Sequence, residues 1–276
     1  FLEIILVDDG STDGSGAVCD EYAAVDDRIR VIHKKNGGLV TARKAGLSMA
    51  KGEYIGFVDG DDWVEPDFFE VLYQKMKEVN TDFVQCGGYE ERENGESEIL
   101  CSWEKDKYVV SDREEVLVDF YDNFLTRKGY INEFIWNKLF SKEFIFKRYE
   151  TVPDHQQHGE DFVCMCECML TCRSFASVSK VLYHYRYRED SLSHDASVEM
   201  ISKMCGLVSV MRGKLQEHNC YFPAVKSRLD EIFWKSMQYH WENAMKDRLG
   251  HFYVPELETL NGKKVVLYGA GRCGWD

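Results

Sequence analysis

Two short apolar runs in this chain end in clusters of carboxylates, and that pairing constrains the fold more than any other feature. The sharper one spans residues 52–63, GEYIGFVDGDDW. Residues 54–58 read as a buried strand bounded by glycines, and the strand exits into Asp59, Gly60, Asp61 and Asp62. Three carboxylates at the mouth of a buried strand repel one another and are costly to hold without a counter-charge. A divalent cation would supply it. Carboxylate oxygens suit magnesium or manganese, and magnesium usually completes its shell with water and substrate phosphates. On these residues alone, a solvated acidic turn capping the next helix is an equal reading, because Asp-x-Asp is a common tripeptide.

The second run, residues 3–9 (EIILVDD), ends in Asp8 and Asp9. The glycine- and serine-rich turn after it leads into a helix expected over residues 15–25. A strand over 28–34, a helix over 39–50, the strand over 54–58, a helix over 67–79 and a strand over 82–89 follow. This alternation predicts an α/β domain with a mostly parallel sheet flanked by helices. Ligands of such sheets bind beyond the carboxyl ends of the strands, which is where both acidic clusters fall. Asp8 or Asp9 would also serve as a plain helix cap.

Charge narrows the partners. The chain of 276 residues carries a formal net charge of −14, with acid spread along its length, which argues against nucleic-acid binding, since that needs a basic face. It contains no apolar run near eighteen residues and no leader pattern, so a soluble, cytoplasmic protein is expected. Ten cysteines sit in apolar contexts and read as reduced thiols. Cys164, Cys168 and Cys172 share one helical stripe while Cys166 points elsewhere, which favours core packing over zinc ligation.

VDDGSTDGS, then NGGLVTARKAG, then AKGEYIGFVDGDDW occur in that order. Together they resemble the family 2 glycosyltransferases, whose fold is the Rossmann-like GT-A type. FIWNKLF (residues 134–140) and GEDFV (159–163) extend the likeness to bacterial polysaccharide-type members, over roughly residues 1–190. The resemblance implies transfer of a sugar from a nucleotide-sugar, by family habit a UDP-sugar, to a saccharide or lipid-linked acceptor. It assigns Asp9 to the nucleotide base, Arg43 to the nucleotide's vicinity, Asp59 to the sugar or ribose, Asp61 to a Mn²⁺ or Mg²⁺ ion and Asp161 to catalysis as the base. His184 and Arg188 fall where some members place a metal ligand or a diphosphate-binding cation. Lys44 stands where the family usually has asparagine. Asp62 is the usual extra acid, read as structural.

The chemistry asks for the same residue types. Negative charge builds on a departing diphosphate, which a cation held by Asp61 would offset. An acceptor hydroxyl must lose a proton, which Asp161 would take. One in-line displacement inverts the anomeric centre. Glu160 and Asp161 also suit the first turn of a helix simply through its dipole.

The remaining chain reads as follows. Ser111 with Glu114 opens a helix to about Phe124. Tyr130, Phe134 and Trp136 suit ordinary core packing better than sugar stacking. Residues 191–260 form a helical extension that could join two copies or touch the inner membrane face, although no basic amphipathic face supports the latter. Residues 263–274 (KKVVLYGAGRCG) carry a Gly-x-Gly-x-x-Gly fingerprint, read as the start of a further Rossmann-like domain at 261–276. Family members usually carry one strand and helix before the VDDGS strand. Those are expected to be missing here, leaving an open edge beside residues 3–9. That departure keeps a second reading alive, a transferase-like binding or assembly module without catalysis.

Overall fold

The computed structural model describes residues 2–109, 114, 117, 118, 120–125, 131–156, 158–188 and 198–248. β1 (Ile4–Asp8) and β2 (Ile29–His33) pair in parallel, with Ile4 opposite Ile29 and Asp8 opposite His33. The crossover between them is α1 (Ser15–Val25). Helix α2 (Leu39–Met49) follows β2 and buries Val40, Arg43 and Leu47. These lie three and four residues apart on one face, so an arginine is turned inward by the same spacing that buries a valine and a leucine.

Among the described residues the larger sheet has seven strands. Its path runs β3 (Tyr54–Gly56), β8 (Lys138–Ser141), β5 (Phe83–Glu91), β9 (Phe175–Arg186) and β4 (Trp63–Val64). β6 (Ser97–Cys101) lies beside β5, and β7 (Lys107–Val109) beside β9. Among the described residues only β5 and β9 pair in parallel within it, and every other pair is antiparallel. The expected mostly parallel sheet is therefore corrected to a mixed one in a single Rossmann-like α/β domain with flanking helices. The cause is β8, a four-residue strand from the second half of the chain. It inserts between β3 and β5 and runs against both, so β3 and β5 still point the same way but do not touch as partners.

The sheet separates two apolar clusters. β5 shows why: Phe83 enters one cluster, Val84 and Cys86 the other, as the two-residue strand period demands. One face is covered by α3 (Phe68–Val79), whose Phe68, Leu72 and Met76 are buried at four-residue spacing. The helix ends at Asn80 in the left-handed conformation, a common helix stop. The other face carries α4 (Lys142–Tyr149) and α5 (Glu160–Thr171). α5 is enclosed on nearly all sides, and Cys164, Cys166, Cys168 and Cys172 are buried free thiols in its packing.

α6 (Val198–Glu217) packs on α5 and on α7 (Pro223–Arg248). Lys214 and His218 both reach Glu167 of α5, at 3.2 Å and 3.0 Å. The helix expected from Ser111 is described at 114, 117 and 118, and a π-helical turn spans Phe120–Phe124. Tyr130 and the glycine fingerprint of residues 269–274 lie outside the described residues. Among the described residues no helix is long and apolar enough to cross a membrane.

Candidate active site

Arg43 is the centre of the site. Its Nη2 donates to Asp59 Oδ1 at 2.7 Å, and its Nη1 donates to Asp161 Oδ1 at 2.7 Å and Glu160 Oε1 at 3.0 Å. The guanidinium also lies 5.9 Å from the ring centre of Phe57, which stacks on Tyr149. Three elements thus converge: the inward face of α2, the loop leaving β3, and the first turn of α5. One cation faces three carboxylates. A planar guanidinium can do this because its donors diverge, whereas an ammonium offers a single point of charge.

Burial opposes charge on Arg43, but Asp161, Asp59 and Glu160 outweigh that and hold it firmly protonated. Burial raises both Glu160 and Asp161, and the neighbouring Asp161 charge raises Glu160 further. For Glu160 the displacement reaches about 8. For Asp161 the Arg43 charge and the Ile135 N–H, which donates to Oδ2 at 3.3 Å, pull the other way. The physical outcome is a crowded pair that keeps a proton more readily than free carboxyls do.

The turn before α5 depends on Gly159. It sits at φ 69°, and a Cβ there would approach Leu207 Cδ2 of α6 to 2.7 Å. Only glycine satisfies both the left-handed backbone and that contact, and the helix extension thereby touches the turn that presents Glu160 and Asp161.

Asp62 and Tyr183 brace the acidic loop. The Tyr183 hydroxyl donates to Asp62 Oδ2 at 2.7 Å and accepts from the Asp59 N–H at 3.1 Å. The Arg186 N–H donates to Asp62 Oδ1 at 2.8 Å. Burial pushes Asp62 up to about 6 against the pull of these donors. Trp136, itself buried, stacks on Tyr183 at 4.3 Å and on Phe134 at 4.6 Å.

Asp9 lies at the start of α2. It accepts from the N–H groups of Gly37 at 3.0 Å and Gly38 at 2.7 Å, and from Lys34 Nζ. Burial would raise it, but Lys34 and the two N–H groups prevail and hold it below the usual carboxylate range. Arg43 follows five positions after Gly38 on the same helix, so Asp9 and Arg43 are mechanically joined through α2.

Asp61 is different. Its side chain is 46 % exposed, with Arg188 Nη1 at 4.0 Å. His184 lies on β9 opposite Trp63 and stacks on it at 5.1 Å. Both His184 ring nitrogens are engaged, Nδ1 with Glu91 at 2.7 Å and Nε2 with Glu65 at 3.1 Å. Among the described residues no group of three or more His, Cys, Asp or Glu is placed to hold a metal ion.

The structure therefore brings Arg43, Asp59 and Asp161 into direct contact, joins Asp9 to them through α2, and leaves Asp61 at the open tip. Spacing gave no sign that Glu160 would share Arg43. Tyr183 was also missed, although the alternation in LYHYRYRED places it on the opposite strand face from His184.

The profile of glycosyl transferase family 2 matches residues 1–177. EpsH of Bacillus subtilis (strain 168), named as a glycosyltransferase, is 31% identical over 220 residues, which is 79% of this chain and 62% of EpsH. The glycosyltransferase GlyA of Streptococcus pneumoniae serotype 4 is 33% identical over 226 residues, covering 79% of this chain and 32% of GlyA. The chain thus spans less than two thirds of either relative. Among solved structures, TarS 1–349 of S. aureus in complex with UDP-GlcNAc superposes with a TM-score of 0.59 at 18% identity, over 92% of this chain and 68% of that one. At that identity the likeness concerns the fold.

Proposed function

The chain belongs to glycosyl transferase family 2, and from that premise we propose that it is an inverting, GT-A-type transferase. It would move a sugar from a nucleotide-sugar, UDP-linked by family habit, to an acceptor hydroxyl of a saccharide or lipid-linked glycan. The observation that carries this reading is the Arg43 guanidinium joining Asp59 to Asp161. It ties the loop that would meet the donor to the carboxylate that would meet the acceptor.

In this reading Asp161 takes the acceptor's proton as the hydroxyl attacks the anomeric carbon. Arg43 and the Ile135 N–H hold Asp161 in one orientation, and burial raises its basicity toward working pH. General-base help of this kind is typically worth about 10²–10⁴ in rate. Asp59 faces the ribose or sugar from the same guanidinium. Asp9, fixed by Gly37 and Gly38, presents its remaining lone pairs to the base.

The half-exposed Asp61 fits a Mn²⁺ or Mg²⁺ ion: a hard oxygen donor at an open tip, with water and diphosphate free to fill the other positions. Such an ion, when bound, offsets the charge that develops on the leaving diphosphate. His184 fits less well as a second ligand, since Glu65 would first have to release its Nε2. The same reading takes residues 1–190 as the transferase unit and the α6–α7 hairpin as its extension, in a cytoplasmic protein that meets its acceptor in solution or at the inner membrane face.

Calorimetric titration with UDP and Mn²⁺ tests the donor half. The expected result is metal-dependent binding that Asp61→Ala weakens at least tenfold. No binding, or binding indifferent to Asp61→Ala, would instead favour a transferase-like assembly module.

A further inference from the structure

Lys138 opens β8 and is fully enclosed, with no exposed surface. A buried ammonium is expensive unless its protons are all bonded and its charge is answered. Its protons are answered: Nζ donates to Asn132 Oδ1 at 2.6 Å, to Asn137 Oδ1 at 2.9 Å and to the Phe134 carbonyl. All of its hydrogen-bond acceptors among the described residues are neutral oxygens, and all lie within residues 132–137. The side chain therefore works as an internal staple for that loop.

The loop matters because of what it touches. Its Ile135 N–H donates to Asp161 Oδ2 at 3.3 Å. Its Trp136 stacks on Tyr183, which braces Asp59 and Asp62. Asn137 fixes the loop's far end to β5, donating from Nδ2 to the Cys86 carbonyl at 2.6 Å. A methionine of similar length would fill the space at lower cost. What it could not do is hold three oxygens of one loop or place a positive charge near Asp161.

We propose that Lys138 is a positioning residue for Asp161: it locks residues 132–137 so that the Ile135 N–H stays on Asp161 Oδ2, and its charge helps keep that carboxyl ionised. The proposal rests on Asp161 being the base of the transferase. The groups facing Asp161 are Arg43 from α2, Asp59 from the loop after β3, Tyr149 from α4, its neighbour Glu160, and Lys138 from β8. Those facing Lys138 are Cys101, Asp161, Glu133 and Cys86. Burial brings Lys138 down to about 8, partly offset by these groups. Its charge is thus present at neutral pH and fades above it, so the support it lends Asp161 is itself pH-dependent.

The test is an NMR titration of the protein carrying ¹³C-carboxyl-labelled aspartate, with the Asp161 signal identified by its loss in Asp161→Asn. Lys138→Met removes staple and charge together. Asn132→Ala removes one acceptor of the staple while keeping the ammonium and adds no charge beside Asp161, and so tests the staple in a protein that retains the charge. Both variants are expected to raise the Asp161 midpoint, Lys138→Met by about one pH unit and Asn132→Ala by less. In a transfer assay the acid limb of the kcat profile would move up by the same amount, with the donor KM unchanged. An unmoved Asp161 midpoint in the folded variants would overturn the proposal, and if Lys138→Met does not fold, Asn132→Ala decides. A shifted midpoint in a protein that transfers no sugar would leave the coupling standing and sink the transferase reading instead.

Discussion

Arg43 Nη1 lies 2.7 Å from Asp161 Oδ1 although the two are 118 positions apart in the chain. The contact ties the β1–α2 half of the fold directly to helix α5. It also sits where the two halves of a transfer reaction would have to meet.

Because the guanidinium answers three carboxylates in a buried setting, its removal leaves negative charge uncompensated. Arg43→Met is expected to cost about 3–5 kcal/mol of stability, read from denaturant unfolding. Adding Asp59→Asn, which removes a carboxylate from the Arg43 guanidinium, should recover part of the loss, since one of the stranded charges is gone. Equal and additive losses for the two substitutions would contradict the shared site.

Stability should also depend on pH through Glu160. Its folded-state pKa is raised to about 8 from an ordinary 4.5, chiefly by burial and then by Asp161. The native state therefore holds a proton that the unfolded chain releases. Its contribution to stability is complete below about pH 4.5 and is lost as the pH climbs toward 8. Urea unfolding across this window should show a decline that Glu160→Gln flattens. A Glu160→Gln profile parallel to the wild type would show that Glu160 is ionised in the folded state.

Gly159→Ala tests the turn. A residue with a Cβ at φ 69° is strained, and the Cβ would meet Leu207 Cδ2 at 2.7 Å. The expected loss is about 1–3 kcal/mol. Leu207→Ala in the same background should relieve the contact but not the backbone strain, so partial rescue is predicted by thermal unfolding. Full tolerance of alanine would mean that α6 does not press on this turn.

The short-range features of the fold were legible because they are local. The apolar run EIILV, the inward stripe Val40, Arg43, Leu47 and the spacing of Phe68, Leu72 and Met76 declare their elements within a few residues. The sheet order was not legible. It depends on KLFS, four residues buried inside an aromatic segment, choosing to lie between β3 and β5; no period in the sequence announces a partner some eighty positions away. The site divides the same way. Asp59 and Asp61 stand out by composition, and Asp161 was read from the family likeness. That one arginine would gather Asp59, Glu160 and Asp161 is a property of the assembled fold. So is the engagement of both His184 nitrogens by Glu65 and Glu91, which spacing alone cannot foresee.

The most direct test of the central claim is the rate at which UDP appears from a UDP-sugar panel and acceptor, measured for the wild type and for Asp161→Asn at matched UDP affinity. The account predicts a fall of about 10²–10⁴ in kcat, with the affinity for UDP changed by no more than a few-fold. Undiminished turnover in a folded Asp161→Asn protein would contradict it.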